Sequence, residues 1–273
     1  MSAIEAWRQR VARHREQSRQ TRASLGVNEG DFWETVSPFF KADPHRMDDA
    51  EVNRLLQEVN PSTTLLDVGG GAGRFALPLA LRCRHVTVVE PAPSMGKSLR
   101  QIAAEAGIEN VSVVAKRWQE AGVESADVAL SAHVIYTVED IRAFVAKLVE
   151  HARHKVLMPT FMRPPMARYA PFWRWVHGEE REELPGAAEF MQVLWEMGIY
   201  PDLEMFEPLP FRGFKDWRGA LEILRERTFV TPDTEQDARL QKGMRELLVE
   251  TPDGYSLKGI EPGRLALISW RPE

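Results

Sequence analysis

A cluster of glycines beside a single acid can bring the main chain into contact with a bound ligand. The cluster has the spacing Asp67-x-Gly69-x-Gly71-x-Gly73, with Gly70 as an additional glycine, and it follows an apolar run. Glycine has no Cβ, so a ligand can approach such a loop closely. An apolar helical pattern comes next, at residues 75–81, and the first N–H groups of a helix are unpaired and point outward. The stretch predicts a buried strand, a ligand-binding turn and a helix.

The spacing of the glycines separates one class of ligand from another. A dinucleotide-binding loop has the pattern Gly-x-Gly-x-x-Gly, but counting from Gly69 the sixth position here is Arg74. The next β-branched run, residues 84–89, ends in the acid Glu90, which lies 17 positions after Gly73. The order strand, glycine turn, helix, strand and acid is far more specific than a glycine triplet alone.

This pattern resembles the first two motifs of class I S-adenosylmethionine-dependent methyltransferases. The resemblance covers residues 45–160 and the final strand, and it implies S-adenosylmethionine as the cofactor, with Glu90 accepting hydrogen bonds from the ribose hydroxyls. Such charge-assisted bonds are stronger than neutral ones. The cofactor-binding residues that the resemblance implies are Asp67, Gly69, Gly70, Gly71, Gly73, Glu90, Pro91, Met95, Arg117, Trp118 and His133.

The segment after the third predicted strand departs from the family pattern. Family members commonly have an aspartate there to accept from the adenine amino group, whereas this chain has Arg117 followed by Trp118. A guanidinium has no acceptor, so adenine recognition would rest on the backbone of these two residues, or on Gln119 or Glu120. Trp118 either stacks on the adenine or packs against the edge of the sheet.

Residues after the fourth predicted strand are the candidates for acid–base chemistry. Methyl transfer from a sulfonium is a displacement in which the enzyme mainly aligns the reactants and excludes water. A proton acceptor adds about 10²–10⁴-fold when the nucleophile is a hydroxyl or a protonated amine. In the family, this region faces the methyl group, and here it contains His133 and Tyr136. His133 is either the proton acceptor or a residue that only lines the cofactor.

The remaining chain alternates between strand and helix patterns, which predicts a parallel sheet with helices on both faces. We expect an α/β, Rossmann-like three-layer sandwich with a mostly parallel seven-stranded sheet and a helical cap. The resemblance implies that the last strand, residues 264–270, is antiparallel. The domain organisation that follows is an N-terminal helical segment over the cofactor site, residues 1–45, and a methyltransferase domain, residues 46–273, with cap insertions at about 161–185 and 208–255.

Aromatic side chains mark the segments that we expect to wall the substrate pocket. Four aromatics fall within nine residues ahead of the glycine loop, and a second cluster lies in the proline-rich segment 161–185. The substrate-pocket candidates from these segments are Trp33, Phe39, Trp173 and His177.

Composition and missing motifs narrow the function. The chain has 273 residues, a formal net charge of −5 and one cysteine, Cys83, which favours a reducing compartment. With no apolar run long enough to span a bilayer, we expect a cytoplasmic protein without membrane contact. The chain has no Asn/Asp-Pro-Pro-Tyr motif after the fourth strand, which disfavours the enzymes that methylate amino groups of nucleic acids. It has no cysteine placed for cytosine methylation and no evident pair of acids for a magnesium-dependent catechol enzyme. We expect no metal site.

The sequence therefore predicts an S-adenosylmethionine-dependent methyltransferase that acts on the oxygen, nitrogen or carbon of a small molecule. One alternative is a cofactor-binding sensor or partner protein that has lost catalysis. Another is RNA methylation, for which the arginine-rich residues 1–25 would supply a basic helix. The acidic net charge makes nucleic acid an unlikely partner, and the basic helix is more simply a solvated face. The methyl acceptor and the oligomeric state stay open.

Overall fold

A computed structural model describes residues 1–26, 42–211 and 213–272 of the chain. Two of the predicted pocket residues, Trp33 and Phe39, lie outside the described residues. Within them, seven strands form one sheet in the order β3-β2-β1-β4-β5-β9-β6. The strands are β1 (Thr64–Val68), β2 (His85–Val89), β3 (Val111–Val114), β4 (Ala126–Leu130), β5 (Ala152–Phe161), β6 (Asp202–Met205) and β9 (Leu265–Trp270).

The directions of the strands confirm the predicted fold. β1 to β5 pair in parallel, whereas β9 is antiparallel to both of its neighbours, β5 and β6. In β1, Leu65 faces one hydrophobic cluster and Leu66 the other, because successive side chains of a strand point to opposite faces. A strand that is buried on both faces needs the continuous apolar run seen in the sequence.

Helices cover both faces of the sheet and complete the three layers. One face carries α2 (Ala50–Leu55), α3 (Ala76–Ala80) and α4 (Pro93–Glu105). The other carries α5 (Ile141–His151), α7 (Ala187–Glu196) and the N-terminal helix α1 (Ala3–Leu25). No helix in the described part of the chain is long and apolar enough to cross a membrane.

The two insertions pack together as a cap with its own hydrophobic cluster. The cap contains α6 (Ala170–His177), α8 (Trp217–Thr228), α9 (Glu235–Leu247) and the hairpin β7 (Leu248–Thr251) and β8 (Gly254–Leu257). One insertion starts where β5 ends, at Phe161, and the other lies between the end of β6 and the start of β9, where Leu265 pairs with Phe161. Both therefore leave the sheet at the carboxyl edge of its parallel strands, the edge at which the glycine loop follows β1.

Helix α1 is docked on the domain rather than solvated on all sides. Trp7 is buried, packs against Phe190 of α7 and donates its indole N–H to the Val138 carbonyl at 2.8 Å. Removing a buried tryptophan side chain costs about 3–5 kcal/mol, whereas an exposed ion pair contributes about 0–1 kcal/mol. Trp7 thus holds the helix. Its arginines make ion pairs on the solvent side: Arg8–Glu5, Arg10–Glu189, Arg13–Glu182, Arg15–Glu139 and Arg19–Glu16.

Candidate active site

The glycine loop turns sharply between β1 and α3. The Gly69 N–H donates to the Val89 carbonyl at 2.8 Å, which fastens the loop to the end of β2. Gly71 has a φ of +57°, a backbone conformation that residues other than glycine rarely adopt. A Cβ built on Gly71 would meet no atom of the described residues within 4 Å. The protein thus leaves space directly beside this main-chain position.

Glu90 joins the end of β2 to the glycine loop. Its Oε2 accepts from the Gly71 N–H at 2.9 Å, and its Oε1 accepts from the Ala92 N–H at 2.7 Å. The residue is buried. Each carboxylate oxygen has a second lone pair, so the group can also accept from a ligand in the open space beside Gly71. The loop and the acid found in the sequence are therefore brought together.

Asp67 lies beneath the loop as a buried carboxyl group. Its Oδ2 has no hydrogen-bond partner among the described residues, and a Cβ on Gly70 would lie 2.7 Å from that oxygen. Burial, with a smaller contribution from the charge of Glu90, raises the pKa of Asp67 to about 7. An unpartnered buried oxygen is costly, and a cationic or hydrogen-bond-donating ligand group nearby would offset this cost.

The residues after Glu90 form a small apolar support for the loop. Met95 is buried in a cluster with Ala72 and Ala92, which places it between the glycine loop and the start of α4. Pro91 is exposed. The structure thus places Met95 against the loop, and contact of either residue with a cofactor stays a prediction.

The structure corrects the stacking role considered for Trp118. Its indole is buried, donates to the Phe144 carbonyl at 3.2 Å and carries the Lys147 ammonium 4.6 Å from the ring centroid. His151 contacts the same ring edge to face. Trp118 therefore packs beneath α5, as the alternative interpretation expected. Arg117 is exposed, and a backbone contribution of these two residues to adenine binding stays a prediction.

His133 lies directly after β4, beside the glycine loop, and is held by a residue that sequence reasoning missed. Its Nε2 is 2.7 Å from Oε2 of Glu51 on α2. The ring lies between Phe75 and Phe161, with centroid separations of 5.9 and 5.1 Å. Its Nδ1 is buried without a hydrogen-bond partner among the described residues. The backbone of His133 has a φ of +61°, a strained conformation for a non-glycine residue that is typical of functional sites.

Glu51 belongs to a network of charges at the start of α2. Burial acts to raise its pKa, but the hydrogen bond and charge of His133 and the charge of Arg74 outweigh burial, so the pKa of Glu51 is lowered. Arg74 donates to Glu51 Oε1 at 2.8 Å and also contacts Asp49. Asp49 in turn pairs with Arg46. A carboxylate with such a partner stays ionised at neutral pH although it is buried.

Tyr136 is not placed for acid–base chemistry, contrary to the sequence-based hypothesis. Its hydroxyl oxygen accepts from the Phe161 N–H at 2.8 Å, and burial raises its pKa. The group cannot easily ionise and is already used to hold the end of β5. Tyr136 is therefore a structural residue that fixes the end of β5 at Phe161, where the cap begins.

Two other pocket candidates pack inside the cap. Trp173 is buried, with the Arg181 guanidinium 4.0 Å from its ring centroid and Phe229 against its edge. His177 contacts Trp173 and hydrogen-bonds the Thr228 carbonyl at 2.9 Å, and burial lowers its pKa. These contacts hold α6 to α8 and to the segment beside α1. Both residues therefore support the cap, and their contact with a substrate stays a prediction.

Comparison with known proteins identifies the domain that carries this loop. Residues 65–155 match the family model of a methyltransferase domain. These residues form a methyltransferase domain. The matched region begins at the second residue of β1 and ends within β5, so it contains the glycine loop, Glu90 and His133. Glu51 and the cap lie outside it.

Curated relatives of the methyltransferase domain cover only part of the chain. An uncharacterised protein of Haemophilus influenzae is 27% identical over 158 residues, which is 56% of this chain and 58% of that protein. The ribosomal RNA small subunit methyltransferase G of Sorangium cellulosum is 36% identical over 80 residues, which is 29% of this chain and 34% of that enzyme. The chain therefore spans less than two thirds of the length of these relatives.

Solved structures share the fold at low sequence identity. The YcgJ protein of Bacillus subtilis superposes with a TM-score of 0.55 at 14% identity, over 81% of this chain and 97% of that one. The geranyl diphosphate C-methyltransferase of Streptomyces coelicolor A3(2), solved with Mg²⁺, geranyl diphosphate and S-adenosylhomocysteine, gives 0.50 at 14% identity, over 92% of this chain and 87% of that one. At this identity both comparisons show a shared fold.

The site fits S-adenosylmethionine. Glu90 would accept from the ribose hydroxyls, and the space beside Gly71 leaves room for the ligand against the main chain. Asp67 Oδ2, which has no partner among the described residues, could take the charge or hydrogen bond of a cationic group. When bound, the cofactor supplies an electrophilic methyl group on a sulfonium. No group of three or more potential metal ligands is present among the described residues.

The first prediction uses two glycines with matched backbones. Gly71 and Gly107 have φ values of +57° and +66°, and a Cβ on either would meet nothing within 4 Å in the described part of the chain. Each Gly→Ala variant should lose about 1–2 kcal/mol of unfolding free energy because alanine is strained at positive φ. Only Gly71→Ala should also weaken S-adenosylmethionine binding in calorimetry, by about tenfold or more. Equal affinity in the two variants would contradict a ligand at this position.

The second prediction concerns Asp67 and pH. Because the folded pKa of about 7 is above the unfolded value, the folded state binds more protons, and this group makes the fold less stable as the pH rises from about 4 to 7. Asp67→Asn removes the effect. Its unfolding free energy relative to wild type, measured with urea, should therefore increase by about 1–3 kcal/mol between pH 5 and pH 8. A difference that is the same at both pH values would show that Asp67 is ionised throughout.

Proposed function

We propose that the protein transfers the methyl group of S-adenosylmethionine to a small molecule. The observation that carries the proposal is the position of the cap. Both insertions leave the sheet at the carboxyl edge, where the glycine loop, Glu90 and His133 also lie. In open α/β sheets, ligands bind at this edge. A cap rooted there, at the end of β5 and the start of β9, would enclose a small acceptor above the reacting methyl group and exclude water.

The structure of α1 favours this proposal over RNA methylation. An RNA-binding surface needs cations that are free to neutralise phosphates. The arginines of α1 from Arg8 to Arg19 instead pair with carboxylates of the protein itself, and the net charge is −5. The match to the ribosomal RNA enzyme covers 34% of that enzyme, so it supports a shared domain and leaves most of that enzyme unmatched.

Neighbouring structures offer limited support for the substrate class. The Streptomyces enzyme acts on geranyl diphosphate, a small molecule, and its fold covers 92% of this chain. At 14% identity its substrate does not transfer to this chain. The predicted covering of the site by residues 1–45, with Trp33 and Phe39 at the pocket, belongs to the same proposal and stays a prediction.

The test supplies S-adenosylmethionine labelled in its methyl group together with either a small-molecule metabolite extract or total RNA from the same cells. We expect label in the extract and none in the RNA. Glu90→Ala serves as the control, because losing a charge-assisted acceptor should weaken cofactor binding by about 10–100-fold and slow the transfer at limiting cofactor.

Two outcomes would contradict the proposal in different ways. Label in RNA, with the extract unlabelled, would establish the nucleic-acid alternative. Tight binding of S-adenosylhomocysteine without label in either pool would favour a sensor or partner protein that has kept the cofactor site and lost catalysis.

A further inference from the structure

We infer that Glu51 is the positioning residue of a proton acceptor, His133, and that the methyl acceptor therefore carries an O–H or N–H proton. This inference rests on the proposed function and deepens it, since it assigns both a residue outside the matched domain and a substrate class. Glu51 lies on α2, 82 residues before His133, and the two side chains meet at 2.7 Å beside the glycine loop.

The Glu51 contact determines which ring nitrogen of His133 can accept a proton. A carboxylate has no proton to donate, so the short contact requires that His133 Nε2 carries the hydrogen and donates it. In a neutral imidazole the other nitrogen then has a lone pair. That nitrogen, Nδ1, has no hydrogen-bond partner among the described residues. The pairing of a base with an orienting carboxylate is the arrangement by which enzymes fix the tautomer of a catalytic histidine.

The position of the ring suits this role. Phe75, at the start of α3 directly after the glycine loop, lies on one side of it, and Phe161, at the root of the cap, lies on the other. The unusual backbone of His133, with a φ of +61°, keeps the ring at this point, and its N–H donates to the Pro159 carbonyl at 3.0 Å. The imidazole thus lies between the cofactor loop and the cap, where an acceptor has to be placed.

The charges around Glu51 keep it in the form that the role requires. Arg74 faces it from the glycine loop at 2.8 Å, and Asp49 faces Arg74 from the N-cap of α2. Arg46 pairs with Asp49, and the phenol of Tyr136 also lies within electrostatic range of Glu51. Arg74 contacts Oε1 of Glu51, and His133 contacts Oε2. The ionised carboxylate can therefore stabilise an imidazolium at Oε2.

The proton step balances without a further reactant. The acceptor's O–H or N–H proton passes to the Nδ1 lone pair, and the electron pair left on oxygen or nitrogen forms the bond to the methyl carbon. The carbon–sulfur bond breaks with its electrons on sulfur. The positive charge thus moves from the sulfonium to the imidazolium beside Glu51, and the ring returns its proton to water after product release.

The experiment compares Glu51→Gln with Glu58→Gln. Glu58 is the partly buried acid just after α2 that pairs with Arg54 and Lys155 and does not touch His133. With the metabolite extract as the acceptor pool, transfer by Glu51→Gln should be about 10–100-fold slower, and the acid limb of its pH–rate profile should move to lower pH because the charge that stabilises the imidazolium is gone. Glu58→Gln should keep the wild-type rate and profile. S-adenosylhomocysteine should bind all three proteins equally in calorimetry.

Two further readouts separate a positioning role from a structural one. The double variant Glu51→Gln with His133→Gln should be no slower than His133→Gln alone, because both residues act as one unit. In the wild-type protein with S-adenosylhomocysteine, ¹⁵N ring spectra at pH 8 should show the proton of His133 on Nε2. A proton on Nδ1, or a Glu51→Gln variant with normal rate and normal pH profile, would overturn the inference. Absence of transfer by the wild type would overturn the proposed function itself.

Discussion

The hydrogen bond from the Gly71 N–H to Glu90 is the interaction on which the rest of the site depends. It exists because β1 and β2 pair in parallel and in register, so that the loop after Val68 and the acid after Val89 emerge side by side. The glycine turn then determines where α3 starts, and Glu90 with Ala92 leads into α4. One bond between a strand end and a loop thus holds Glu90 and the glycine loop together.

Buried charge is the second constraint, and the site handles it in two different ways. Oδ2 of Asp67 has no partner within the described ranges, and the pKa of Asp67 is raised to about 7. A ligand that donates to this carboxyl group would offset the cost of its burial. Glu51 is buried as well, but His133 and Arg74 lower its pKa. The arrangement around Asp67 suits a group that binds a ligand. The arrangement around Glu51 suits a group that must stay charged while it holds His133. The cap is attached beside both, through Phe161 and Tyr136.

The sequence predicted those parts of the site that are local in the chain. Asp67, the glycines and Glu90 stand in register within 24 residues, and the antiparallel direction of the last strand follows from the family resemblance. Glu51 could not be found this way, because its contact with His133 spans 82 residues and depends on the packing of α2. Trp118, Tyr136 and Trp173 were placed in the site by residue type, yet each is held by core packing or by backbone contacts.

The central claim is that the glycine loop with Glu90 is built for S-adenosylmethionine and not for a dinucleotide. Calorimetric titration of the wild-type protein with S-adenosylmethionine, S-adenosylhomocysteine and NAD tests it most directly. The account predicts binding of at least one of the two sulfur ligands and no binding of NAD. Binding of NAD, with neither sulfur ligand bound, would leave the fold intact and contradict the account of the site.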